Sequence, residues 1–237
     1  MSIAENLAEV RSRIAAAAGR AGRATDDVTL VAVSKTFSAE VVREAVAAGQ
    51  TVFGENKVQE GLVKIPELPD RLEWHLIGHL QSNKIRKALA VFPWIETVDS
   101  LERAEQIERV ADEEGLFPKA LLQVNVADDS AKFGFSVEAA RRDLDALLEL
   151  ERVEIRGLMT IPAFDPDPEK SRPHFAALRE LRDELAAAAG IPLPDLSMGM
   201  SHDYEVAVEE GATFVRVGSA IFGERKSILS QQGSQQG

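Results

Sequence analysis

A lysine closes the first apolar run of the chain. Thr29-Leu-Val-Ala-Val-Ser-Lys35 places Lys35 directly after five apolar or small residues. An amine on a flexible stem, half buried at a strand end, loses its proton more easily than one in water and can attack a carbonyl. A solvated lysine at a strand end is the plain alternative. Two other stretches suit an anion. Ser197-Met-Gly-Met-Ser201 runs into a helical segment with Ser201 at the N-cap, and Val217-Gly218-Ser219 repeats the arrangement. Helix amino ends present unpaired N–H groups to anions, although either serine alone could be an ordinary cap. Arg216 sits inside the apolar run Thr213-Phe-Val-Arg-Val-Gly218. A buried guanidinium there needs an acceptor, either a carboxylate or a ligand. Asn56, in Gly54-Glu55-Asn56, fits a turn, a cap or a ligand donor. His75, beside Trp74, reads as a hydrogen-bonded core residue and His79 as a rim residue. With His174 and His202 they show no metal-ligand spacing.

These residues need elements to hold them. From Thr29 onward, short apolar runs alternate with amphipathic stretches. Strands are expected at 30–34, 52–54, 74–77, 95–98, 120–126, 154–159, 195–198 and 213–217. Helices are expected at 38–48, 58–65, 82–92, from Ser100 to Glu114, at 136–150, 172–189 and 201–210, and beginning near Ser219. One more helix precedes the first strand, with Ile3, Leu7, Val10, Ile14 and Ala18 at helical spacing and Gly19 at its end. Eight strand–helix units in 237 residues predict a single α/β domain, a (β/α)8 TIM barrel with an extra N-terminal helix, over residues 1–229. An open doubly wound sheet fits less well, because the turn Ser34-Lys-Thr-Phe-Ser38 has no glycine. In such a barrel ligands meet the residues just past each strand, and phosphate typically lies at the loops after strands seven and eight. Ser201, Gly218 and Ser219 fall there. The proline-rich segment 162–173 follows strand six on the same rim, as a lid or as a surface loop. Residues 230–237 are only Gln, Gly and Ser and read as a disordered tail.

Composition narrows the classes. A net charge of −12 leaves no basic footprint for nucleic acid. The absence of cysteine excludes disulfides, thiolate metal sites and a cysteine nucleophile. No apolar run approaches the roughly 20 residues of a membrane span, and the first residues carry no basic signal region. A cytoplasmic protein without membrane contact is expected, and a self-contained barrel is expected to be monomeric. No nucleophile elbow, Walker loop or dinucleotide fingerprint is present.

A lysine after strand one, anion loops after strands seven and eight and an arginine on strand eight together suggest pyridoxal phosphate. It offers an aldehyde to the lysine and a phosphate to the loops. The chain also resembles the pyridoxal phosphate homeostasis proteins, the YggS/PROSC family. The resemblance is carried by Val31-Ala-Val-Ser-Lys35, Phe53-Gly-Glu-Asn-Lys-Val-Gln-Glu60, Trp74-His-Leu-Ile-Gly-His-Leu-Gln-Ser-Asn-Lys84 and Gln123-Val-Asn125. It continues through Lys132-Phe-Gly134, Gly157-Leu-Met-Thr160, Leu196-Ser-Met-Gly-Met-Ser201, Val215-Arg-Val-Gly-Ser219 and Ile221-Phe-Gly223. These stretches run in family order across nearly the whole chain.

The resemblance implies a barrel similar to the N-terminal domain of alanine racemase and a Schiff base at Lys35. It implies phosphate contacts from Ser201, Gly218 and Ser219 with backbone help near Met200, Arg216 facing the pyridine nitrogen, and Asn56 lining the pocket. It implies a role in intracellular cofactor buffering and supply and in amino-acid and keto-acid balance, with no catalytic residue. The partners are then the cofactor itself and pyridoxal phosphate-dependent apoenzymes. His79 stands where many relatives have proline, and Ser219 where threonine is common. Two alternatives stand beside this reading: a racemase-like pyridoxal phosphate enzyme, and a barrel enzyme whose Lys35 forms a Schiff base with a phosphorylated substrate. Arg216 does not surrender its proton to a ring nitrogen, so the ring would be a poor electron sink. The only tyrosine, Tyr204, reads as a packing residue. Both points weigh against the racemase.

Overall fold

The computed structural model describes residues 1–127 and 133–223. Eight parallel strands close into a barrel in sequence order: β1 Thr29–Val33, β2 Val52–Glu55, β3 Glu73–Leu76, β4 Trp94–Val98, β5 Lys119–Gln123, β6 Glu154–Met159, β7 Asp195–Met200 and β8 Phe214–Val217. The seam is the β1–β8 pair, in register from Thr29 against Phe214 to Ala32 against Val217. The expected barrel is therefore present. The proposed boundary at residue 229 and the tail 230–237 lie outside the described residues, as does Lys132.

Strand side chains alternate between two environments, as the pleat dictates. Leu30, Ala32, Phe53, Leu76, Ile95, Leu122, Leu196 and Val215 face outward into the core shared with the helices. Val31, Trp94, Leu121, Met159 and Phe214 pack on one another inside the barrel. Above them the interior turns polar, with His75, Glu96, Ser197 and Arg216 all buried.

The helices are α1 Ile3–Arg20, α2 Ala39–Ala47, α3 Val58–Lys64, α4 Ile85–Leu89, α5 Leu101–Glu114, α6 Val137–Arg142, α7 Leu144–Leu148, α8 Arg172–Ala189, α9 Tyr204–Glu209 and α10 Ser219–Phe222. The N-terminal helix α1 opens on a capping box: Ser2 Oγ accepts from Glu5 N–H, and the Ser2 N–H donates to Glu5 Oε2. It buries Leu7, Val10, Ile14, Ala17 and Ala18, one helical stripe. Burial of each large member contributes about 1.5–3 kcal/mol. The Asn6 side-chain amide donates to the Ile221 carbonyl at 2.8 Å, which ties α1 to α10.

Several expected elements are shorter or split. The helix expected at 82–92 starts as a 3-10 turn over Ser82–Lys84 and is regular only through α4. That expected at 136–150 breaks at Asp143 into α6 and α7. The fifth strand ends at Gln123, and Val124 bridges Phe135 instead. Glu55 lies on β2 and is buried, not in a turn.

The helix expected from Ser201 begins only at Tyr204. Gly199 has φ +90, a left-handed conformation, and a Cβ there would sit 2.5 Å from the Ala207 Cβ. The chain therefore turns at 199–203, with Asp203 N–H bonded to the Met200 carbonyl, before the helix can start. Ser201 is consequently not an N-cap.

Candidate functional site

The ends of β1, β2, β3, β6, β7 and β8 enclose a cavity of about 650 Å³ at the C-terminal rim. Lys35, Asn56, Met200, Ser201, Arg216, Gly218 and Ser219 all line it. The seven residues read from the sequence thus converge on one space, of the size range of small-molecule sites. Sequence reasoning did not single out Ile77, Ile161, Phe164 and His202, which complete the apolar and aromatic walls.

Lys35 follows β1, and its backbone is pinned on both sides. Lys64 reaches back from the end of α3, donates to the Ser34 carbonyl at 2.8 Å, and pairs with Glu55. Glu55 also accepts from the Ser34 hydroxyl at 2.7 Å. Burial pushes the Glu55 carboxyl up, against the opposing pull of Lys64. On the other side, Thr36 holds φ 70, and among the described residues no other non-glycine residue has a positive φ. Its N–H donates to Glu60 Oε2 at 2.7 Å. A β-branched residue in that conformation costs on the order of 1–3 kcal/mol and is typical of chain held in place for function.

An anion cradle forms where β7 meets β8. Ser201 Oγ accepts from the N–H groups of Gly218, at 3.2 Å, and Ala220, at 3.5 Å. The two amides thus point at the serine oxygen, so as a cradle for an anion they are filled by the chain's own hydroxyl. Ser219 is exposed at the start of α10. The Met200 N–H is taken by Asp203 Oδ1 at 2.7 Å, so Met200 lines the cavity without offering that donor. Asp203 is itself buried and bonded to Ser171. The helices α9 and α10 are short, so any anion must be held by these individual donors more than by a helix dipole.

Arg216 forms part of the cavity wall from inside the barrel. Its guanidinium donates to Ser197 Oγ at 2.5 Å and to the Thr160 carbonyl at 2.9 Å, with Glu96 at 3.9 Å. Both partner classes expected for it are therefore in reach, a carboxylate and the cavity. Asn56 lies just past β2, against Gly78: a Cβ on Gly78 would fall 2.1 Å from the Asn56 carbonyl oxygen. Only glycine lets β3 pass that close.

His75 is a core residue, as read. Its Nδ1 meets Glu96 Oε1 at 2.6 Å and its Nε2 meets Glu73 Oε1 at 3.2 Å. Burial opposes its charge, yet the two carboxylates together hold its pKa above the ordinary 6.5. A raised folded value means stabilisation that is complete below the unfolded value and is lost as pH rises through the folded one. The stability advantage of the wild type over His75→Gln should therefore shrink as pH climbs above 6.5, read by urea unfolding at a series of pH values. An advantage that grows with pH would contradict this assignment.

His79 and Tyr204 fall outside the cavity lining. His79 stacks on Phe133 at 4.3 Å and pairs with Asp99 at 3.1 Å. Tyr204 is buried, with the Arg13 guanidinium 5.4 Å from its ring. Burial raises its pKa, and its hydroxyl has no hydrogen-bond partner among the described residues. From the 162–173 segment, Phe164 lines the cavity and tilts against His202, whose Nε2 lies 3.0 Å from the Asp165 carbonyl. No group of three or more His, Asp or Glu residues placed to hold a metal occurs among the described residues. No helix among them is long and apolar enough to cross a membrane.

Comparison with known proteins agrees with this geometry. The family described as alanine racemase, N-terminal domain, matches residues 5–226. The pyridoxal phosphate homeostasis protein of Aquifex aeolicus (strain VF5) is 45% identical over 227 residues, covering 95% of this chain and 100% of that protein. Its namesake in Escherichia coli (strain K12) is 43% identical over 232 residues, with 94% and 97% covered. The structure of PipY from Synechococcus elongatus PCC7942 with PLP bound gives a TM-score of 0.84 at 44% identity, covering 94% of this chain and 100% of that one. Alanine racemase of Clostridium difficile 630, at 16% identity and a TM-score of 0.75, shares the fold over 58% of its own length. The chain belongs to the alanine racemase N-terminal domain family and, within it, to the pyridoxal phosphate homeostasis proteins.

Proposed function

We propose that this protein binds pyridoxal 5'-phosphate and serves intracellular homeostasis of the cofactor, holding it on Lys35 and exchanging it with pyridoxal phosphate-dependent apoenzymes. The observation that carries the reading is the convergence on one cavity of the Lys35 amine, the Ser201, Gly218 and Ser219 positions, and the buried Arg216 guanidinium. The residues present fit the group. Ser201, Gly218 and Ser219 line the end of the cavity where a phosphate would sit, and the Gly218 amide would exchange the Ser201 oxygen for a phosphate oxygen. Arg216 supplies N–H groups for the ring nitrogen, and Asn56 and Ile77 wall the ring. The bound cofactor supplies an aldehyde. Lys35 would supply the amine that attaches to that aldehyde, with the carbonyl oxygen leaving as water.

The holding role is favoured over turnover by two features of the chain's own residues. Arg216 keeps its proton, so the ring nitrogen meets a hydrogen-bond donor and not an acid. Tyr204 is buried and its pKa is raised, which leaves it unsuited to proton transfer. The racemase reading keeps one point in its favour, the shared fold, and fold alone does not carry function. Adding pyridoxal phosphate to the purified protein should produce a visible absorbance band. Incubation of the loaded protein with amino acids in deuterated water should leave Cα hydrogens in place. A protein that takes up no cofactor would sink the binding reading, and rapid Cα exchange would sink the non-catalytic one.

A further inference from the structure

Behind Arg216 a continuous line of polar side chains from β8, β7, β4 and β3 crosses the barrel interior. Arg216 Nη1 donates to Ser197 Oγ at 2.5 Å, Ser197 Oγ lies 2.5 Å from Glu96 Oε2, and Glu96 Oε1 lies 2.6 Å from His75 Nδ1. His75 Nε2 then meets Glu73 at the opposite end of β3. Arg216, Ser197, Glu96 and His75 are at most 3% exposed.

The protons in this line are fixed by elimination. A guanidinium only donates, so Ser197 must accept from Arg216 and direct its single hydrogen to Glu96. Glu96 Oε2 therefore accepts, and with the carboxyl, despite its burial, held ionised by its His75 and Arg216 neighbours, its other oxygen accepts from His75.

The placement of Ser197 has a particular effect. An arginine beside a buried carboxylate ordinarily forms a two-pronged pair, which consumes N–H groups on one edge of the guanidinium. Here Glu96 stays 3.9 Å from Arg216 because the serine hydroxyl stands between them. The interposition depends on a register shift in β7: Ser197 lies across from Phe214 and Met200 across from Arg216, with an irregularity between. Of the five N–H groups on Arg216, the bonds to Ser197 and Thr160 occupy two.

We propose that Ser197 and Glu96 are positioning residues for Arg216: the serine keeps the guanidinium from collapsing onto Glu96, and so keeps N–H groups directed at the ring edge of bound pyridoxal phosphate. Neither residue lines the cavity, so both act through Arg216. The proposal rests on the cofactor reading above.

The test is a titration of pyridoxal phosphate, followed by its visible band, into wild type, Ser197→Ala, Arg216→Ala and the double variant. Removal of one hydroxyl in Ser197→Ala should weaken binding about tenfold, the scale of one lost hydrogen bond. It should cost nothing further in the Arg216→Ala background, whereas a merely structural role would cost the same in both. Ser197→Thr, which keeps the hydroxyl, should restore the affinity. An equal cost in both backgrounds, or no cost in the wild-type background, overturns the proposal while leaving the cofactor reading intact. Failure of the wild type itself to take up pyridoxal phosphate sinks that reading, and this proposal with it.

Discussion

Lys35→Ala is expected to lose covalent capture of pyridoxal phosphate completely while keeping a weaker, reversible association. The covalent link needs an uncharged amine within the cavity, and Lys35 is the lysine that lines it. Ser201, Gly218, Ser219 and the Arg216 guanidinium are untouched by the substitution, so the contacts proposed for the phosphate and the ring would remain. Reduction with borohydride followed by intact mass measurement separates the two modes. The wild type should gain the mass of one reduced cofactor, and the variant none. A full mass gain in Lys35→Ala would place the link on another lysine and refute the assignment. Lys64 is a poor substitute, because its ammonium is buried and bonded to Glu55 and the Ser34 carbonyl.

Lys64→Met should destabilise the fold by about 3–5 kcal/mol, the usual cost of removing one partner from a buried ion pair. In a chain of this size that is roughly 6–20 °C in melting temperature. The Lys64 side chain is 7% exposed and that of Glu55 is fully buried. Without the ammonium, Glu55 keeps only the Ser34 hydroxyl, and its Oε2 already lacks a partner among the described residues. Burial holds the Glu55 carboxyl above its ordinary pKa even with Lys64 present. In the variant it should protonate more readily still, so the loss should be smaller at acid pH than at neutral pH. The double variant with Glu55→Gln should recover a large part of the stability, since the uncompensated charge is then gone. A loss under about 1 kcal/mol at neutral pH would mean that the pair is solvated and not buried. Because Lys64 also holds the Ser34 carbonyl, the single variant should form its covalent link to the cofactor more slowly.

Much of this was legible in the chain because parallel strands buried on both faces read as plain apolar runs, and each ligand-facing residue follows such a run directly. Lys35 after Val31-Ala-Val-Ser and Gly218 after Phe214-Val-Arg-Val needed no tertiary information. The start of α9 was misplaced because Ser201 has the composition of a cap, while the left-handed turn at Gly199 and the bonds of Asp203 depend on packing against Ala207 and Met200. Glu96 was readable and missed: a carboxylate in Trp94-Ile-Glu-Thr-Val98 demands a partner by the same argument that singled out Arg216. Lys64 was not readable, since a lysine at the end of a short helix has the pattern of a solvated face. Only the fold brings it beneath the end of β1.

The seam between β1 and β8 bears on how the molecule comes into being. The amine arrives with the first strand and the residues proposed to hold the phosphate with the last, so nearly the entire barrel must be synthesised before the two can meet. Pairing so distant in sequence is a late and slow event in folding. A nascent chain therefore exposes Lys35 long before it can retain a cofactor, and retention begins only when the ring shuts. A cofactor held as proposed would bridge the first and eighth units and favour the shut ring by mass action, by about 2.7 kcal/mol at a hundredfold excess over its dissociation constant.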